Sequence, residues 1–119
     1  MAEKKLLMDE YVQEAPAQAL KNIENSYELT KPMVDMYIEG NYASVCIVAS
    51  GSSGNGTEAA IDFMRRYMGA SVELMPPFTF THYNYDLVKD DFVVVVSQSG
   101  ISTNSIDALK KLKELGKPA

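Results

Sequence analysis

Val45-Cys46-Ile47-Val48-Ala49 runs directly into Ser50-Gly51-Ser52-Ser53-Gly54-Asn55-Gly56, and these two stretches decide the fold class. An unbroken apolar run without polar alternation predicts a strand covered on both faces, as in a parallel sheet. The small residues that follow predict a loop over Gly51 to Gly56. Beyond it Ala59, Ala60, Phe63, Met64, Tyr67 and Met68 recur at helical spacing, and Gly69 closes the segment. Strand, loop and helix form one β-loop-α unit.

The same order returns downstream. Ser71 to Met75 reads as a weaker strand ended by Pro76-Pro77, and Phe92 to Val96 as the strongest strand of the chain. Ser97-Gln98-Ser99-Gly100 follows. Ile106, Leu109, Leu112 and Leu115 then predict a helix capped by Ser102 or Thr103, with Gly116 at its end. Between the second and third strands, Pro76 to Asp91 carries Phe78, Phe80, His82, Tyr83 and Tyr85 without a clear period. It reads as a long connection packed on a partner or over a site.

Upstream, a helix from Pro16 places Ala19, Leu20, Ile23 and Tyr27 on one stripe. Pro32 is expected to interrupt it, and a second helical piece with Val34, Tyr37 and Ile38 should end on a left-handed Gly40. The expected architecture is α/β: a three-layer parallel sheet with helices on both faces over residues 42–119, preceded by a helical segment over 1–41. Three strands make a thin sheet, and the chain stops where this order would place another strand, so a truncated domain is expected.

Composition narrows the function. A chain of 119 residues suits one domain, and 46% hydrophobic with 23% charged residues is ordinary for a folded protein. A net charge of −5 without a Lys/Arg cluster argues against a nucleic-acid partner, whose phosphates need facing cations. No apolar run approaches a membrane span, and Met1 to Lys5 do not lead into a signal-peptide core. A cytoplasmic protein without a membrane partner is therefore expected. Cys46 stands alone in an apolar run and reads as a core residue. His82 is the single histidine and reads as a loop residue, so neither a metal nor a cofactor is expected.

Two loops remain as carriers of chemistry. Each lies between a strand end and a helix start, where unpaired amides and the positive end of the helix dipole favour an anion. Gly51, Ser52 and Ser53 in the first loop, and Ser97, Gln98, Ser99 and Ser102 or Thr103 in the second, offer neutral donors suited to phosphate oxygens and sugar hydroxyls. Turn chemistry and capping are the plainer alternative for both loops. Glycines at 51, 54 and 56 do not match a dinucleotide fingerprint or a nucleotide P-loop, and Asn55 breaks the hydrolase pattern Gly-x-Ser-x-Gly.

Three features resemble the sugar isomerase (SIS) family, most closely the isomerase half of glucosamine-6-phosphate synthase and related deglycases. They are Met8-x-Glu10-Tyr11-x-x-x-x-Pro16, Gly51-Ser52-Ser53 after the first strand, and Ser97-Gln98-Ser99-Gly100 with a hydroxyl residue three positions beyond Ser99. The resemblance spans nearly the whole chain and implies a flavodoxin-like SIS domain, of which 42–119 would be the first part. It implies that Ser97, Gln98, Ser99 and Ser102, joined by Ser53, hold the phosphate of a small-molecule sugar phosphate. Ser52 then faces the sugar hydroxyls. Ile101 and the Pro76-Pro77 connection depart from the synthase pattern and point to another branch. The general base of the family, a glutamate on a later helix, would follow residue 119, so no catalytic residue is assigned, and the chain alone is expected to be inactive. For the intact protein the resemblance implies aldose–ketose isomerisation or removal of an amine from a sugar 6-phosphate, in a homo-oligomer. A sensor of sugar phosphates without catalysis is the alternative.

Overall fold

The computed structural model describes residues 8–117. The chain divides between Glu39 and Gly40 into two compact units.

The first unit is helical: α1 spans Met8–Glu24 and α2 spans Ser26–Gly40. The break falls at Asn25, not at Pro32 as expected, and both Pro16 and Pro32 lie inside helices. Proline removes one backbone donor, and here the orphaned carbonyls belong to helices with exposed surfaces, where water can satisfy them. The Asn25 side chain donates to the Lys21 carbonyl, 2.9 Å away, which stabilises the local turn. The expected left-handed Gly40 is also displaced by one residue: Asn41 has φ 52°, and a Cβ at Gly40 would meet the Tyr42 ring, which would have to shift.

The second unit is an α/β fold around a small parallel sheet. Strands β1 (Ser44–Val48), β2 (Ser71–Met75) and β3 (Phe92–Val95) lie in the order β2-β1-β3. Ser44 pairs with Ser71 and Val48 with Met75 on one side of β1, and Val45 pairs with Phe92 and Val48 with Val95 on the other. Val45, Cys46, Ile47, Val48 and Ala49 are all buried, as their unbroken apolar run requires.

Helix α3 covers Gly51–Met68 and packs along β2. The segment 51–56, read as a loop, is the first turn and a half of this helix. Gly51, at φ 59°, turns the chain sharply out of β1, so no loop is needed. The inward stripe of α3 is Gly54, Thr57 and Ile61, while Phe63 and Tyr67 of the apolar pattern lie exposed and touch each other at 4.5 Å between ring centroids. The connection 76–91 is also more ordered than its sequence suggests. Pro77 occupies the first turn of a short helix, α4 (Pro77–Thr79), which passes into one π-type turn over Phe80–Asn84. Phe80 and Val88 from this segment join Cys46, Val48, Met75, Val93, Ala108 and Leu112 in the core.

The last helix, α5, spans Thr103–Glu114 and lays Ser105, Ala108 and Leu112 inward; Leu109 and Leu115, expected on that stripe, are exposed. Among the described residues no helix is long and apolar enough to cross a membrane.

Cys46 is 1% exposed, and burial, reinforced by the negative charges of Asp91 and Glu73, pushes its thiol up from 9.0 to about 12. The thiolate is the reactive form. In the native protein Cys46 should therefore resist a chromogenic disulfide reagent at pH 8 and react stoichiometrically only in denaturant; rapid native reaction would show that the sheet is open at β1.

Candidate functional site

The carboxyl ends of β1 and β3 are adjacent, yet the chain leaves them in different directions, through α3 towards β2 and through 96–102 into α5. Open α/β sheets hold ligands in the crevice that such a divergence creates. A cavity of about 250 Å³ occupies this place, lined by Ser50, Ser52, Ser53, Val96, Ser97, Gln98, Ser99, Ser102 and Ser105.

The first wall is the start of α3. The first helical hydrogen bond runs from the Gly54 amide to the Ser50 carbonyl at 3.1 Å, so the amides of residues 51–53 have no partner within the helix. Ser50 stands at the capping position, but its hydroxyl makes no capping bond. Thr57, one turn on, donates its hydroxyl to the Ser53 carbonyl at 2.9 Å and is buried behind the cavity wall.

The second wall comes from β3 and the turn after it. The Val96 amide still bonds to the Val48 carbonyl at 2.9 Å, so this wall starts in register with the first. The Ser97 hydroxyl oxygen accepts from the Gly100 amide at 3.1 Å, and the Ser99 hydroxyl oxygen accepts from the Ile101 amide at 3.2 Å. Each oxygen is thereby anchored to the turn while its own proton stays free to be donated. Gly100, at φ 73°, makes the turn possible. Ser102 occupies the capping position of α5, again without a side-chain capping bond.

Of the eight residues singled out in the sequence, Ser52, Ser53, Ser97, Gln98, Ser99 and Ser102 line the cavity. Gly51 and Thr103 do not: Gly51 serves as the hinge out of β1, and Thr103 is exposed on α5. Ser50, Val96 and Ser105 line it without having been anticipated. Ser105 was legible in principle, because it lies three residues after Ser102 and helical spacing puts both on one face. His82, with its ring 4.4 Å from that of Phe78, is not among the lining residues.

No lining side chain carries a charge, so the site is polar through hydroxyls, an amide and backbone donors alone. Such a lining can bind and orient an anion or a polyol, but contains no group able to move a carbon-bound proton at neutral pH. Among the described residues, no cluster of His, Cys, Asp and Glu could hold a metal ion. No protein-family model, curated protein or solved structure matches this chain.

The two kinds of glycine at this wall can be separated by stability. Gly51 and Gly56 both have open space where a Cβ would go, but only Gly51 has positive φ. Gly51→Ala should lower unfolding stability by about 1–2 kcal/mol, whereas Gly56→Ala, inside α3, should raise it by about 0.5–1 kcal/mol. Denaturant titration of both variants checks the pair.

Proposed function

We propose that this cavity holds the phosphate of a sugar phosphate, and that the chain is a phosphosugar-binding unit of the SIS kind with its flavodoxin-like, three-layer fold. The observation that carries the reading is the convergence of seven serines and Gln98 on one uncharged cavity beside the starts of α3 and α5. The strand order β2-β1-β3 supports it, being the opening part of the doubly wound order 2-1-3-4-5. The capping positions support it too, since Ser50 and Ser102 do not spend their hydroxyls on their helices.

In this reading, helix-start amides and serine hydroxyls surround the phosphate oxygens, and each hydrogen bond to the charged group contributes about 1.5–3 kcal/mol. Ser97, Gln98, Ser99, Ser102 and Ser53 hold the phosphate; Ser52 reaches the sugar hydroxyls. Because the oxygens of Ser97 and Ser99 are anchored to the turn, little side-chain freedom is lost on binding. The chemistry served is isomerisation or deglycation of a sugar 6-phosphate, for which this site supplies binding and orientation.

Calorimetry with matched pairs tests the reading. Fructose 6-phosphate should bind and fructose should not; equal binding of the two would sink the phosphate assignment. Ser99→Ala should weaken fructose 6-phosphate binding by about 1–3 kcal/mol, roughly ten- to a hundredfold, with the fold intact. Loss of stability without a separate binding defect would favour a turn-forming role for Ser99.

The pH profile gives an independent check. The lining holds no titratable group, so the dependence should come from the ligand, whose second phosphate proton has a pKa of about 6. Affinity should be level from pH 7 to 9, about a unit and more above that value, and should fall as pH drops through it. A transition above pH 7 would implicate a protein group and contradict the assignment.

A further inference from the structure

The serine-lined cavity has a mouth and an inner end. Among the described residues that line it, Ser52, Gln98 and Ser99 are exposed, Ser97 and Ser102 are half-buried, and only Ser105, at 6% exposure, is buried. Ser105 belongs to the inward stripe of α5 with Ala108 and Leu112, so a hydroxyl stands where the next two members of the stripe are apolar. Burying a hydroxyl without a hydrogen bond is destabilising, and alanine would fit the same place, favour the helix and carry no such cost.

Local chemistry does not occupy this hydroxyl. Ser105 lies three residues after Ser102, the spacing at which two side chains at a helix start can bond reciprocally to each other's amides. Ser102 makes no side-chain capping bond, and the Ser105 hydroxyl has no hydrogen-bond partner among the described residues. The first helical bond of α5 runs from the Ile106 amide to the Ser102 carbonyl at 2.9 Å, so the Ser105 amide also lacks a partner within the helix. The hydroxyl is not sealed in either. Among the described residues the side-chain atom that is both enclosed and unbonded is the Thr81 hydroxyl, on the π-type turn, so the Ser105 oxygen opens into the cavity it lines.

We propose that Ser105 is a further ligand-contacting residue that sets the orientation of the ligand: its hydroxyl donates to the phosphate, which enters first and lies at the inner end against α5, leaving the sugar at the mouth. This rests on the phosphosugar reading and adds to it which end of the ligand goes deep. A buried donor at the positive end of a helix gains most from the acceptor with the greatest negative charge, and in a sugar phosphate that is a phosphate oxygen. A sugar hydroxyl placed there would leave the phosphate at the open mouth, where the donors are already served by water. The exposed position of Ser52 suits the opposite end, since sugar hydroxyls gain little from being stripped of solvent.

Calorimetry with fructose 6-phosphate, and with inorganic phosphate as its competitor, tests the orientation. Ser105→Ala should weaken both ligands by the same factor, about ten- to a hundredfold for the loss of one hydrogen bond to a charged group. Its denaturation midpoint should be level with or above that of the native protein, because alanine favours the helix and no hydroxyl remains buried. Ser52→Ala should weaken fructose 6-phosphate and leave inorganic phosphate unchanged. A loss confined to fructose 6-phosphate in Ser105→Ala, or a loss for inorganic phosphate in Ser52→Ala, would reverse the ligand and overturn the proposal. Unchanged affinity in Ser105→Ala with a lower midpoint would give Ser105 a purely structural role and overturn it too, while the phosphosugar reading would stand. If the native protein binds neither ligand, that reading fails and the orientation falls with it.

Discussion

Both faces and both edges of β1 are occupied by the protein itself, and the position of everything else in the α/β unit follows from that. Val45, Cys46, Ile47 and Val48 are each at most 5% exposed, and burying an aliphatic side chain of this kind contributes about 1.5–3 kcal/mol. Because the backbone of β1 pairs with β2 on one side and β3 on the other, the chain can leave it only at the carboxyl end of the sheet. Neighbouring strands lie about 4.8 Å apart, so whatever follows β1 and β3 must meet there. The cavity is thus a consequence of the central strand rather than an addition to the fold. By contrast, the ion pairs Lys31–Asp35, Asp62–Arg65 and Lys111–Glu114 join residues one helical turn apart on exposed or half-exposed surface, where such pairs contribute little.

An uncharged lining has a physical advantage for a ligand that must leave again. A lysine or arginine facing a phosphate would add a strong attraction of one sign, whereas hydroxyls and helix-start amides divide the same task among several modest hydrogen bonds. The net charge of −5 is no obstacle at short range, because at physiological salt charges more than about 8 Å away are largely screened. What the lining offers is direction: the Ser97 and Ser99 oxygens are fixed by the amides of Gly100 and Ile101 before any ligand arrives.

Fold class was legible because the three strands carry their own signals. Apolar runs at 45–49 and 92–96 and a proline stop after 75 agree with the observed strands to within a residue or two. Where structure and sequence reading differ, the cause is local: small residues over Gly51 to Gly56 read as a loop, Pro16 as a helix start and Pro32 as a break. Gly51 to Gly56 is helical because one positive φ, at Gly51, suffices to turn the chain, and Pro16 and Pro32 are carried within helices whose surfaces are open to water. The aromatic pattern of α3 misled for another reason: Phe63 and Tyr67 have helical spacing but face away from the sheet, while the buried stripe is built on Gly54, Thr57 and Ile61. Small and polar residues at an inward position carry no hydropathy signal, which is also why Ser105 escaped notice. Strand order could not be read at all, since nothing within β1, β2 or β3 names its neighbour.

The capping positions join stability to function. A serine at the start of a helix ordinarily accepts a hydrogen bond from an amide of the first turn, and losing that bond costs about 0.5–2 kcal/mol. Ser50 and Ser102 stand at this position at the two helix starts beside the cavity, and neither makes the bond. Residues of the right type in the right place are therefore withheld from the local role that would best stabilise their helices. First-turn amides left without a capping partner lower the stability of the unit, and two such helix ends lie beside one cavity. A ligand with several acceptor oxygens would supply the missing partners to both ends at once, so the same groups that leave the empty site locally under-bonded are those that would make the filled site rigid.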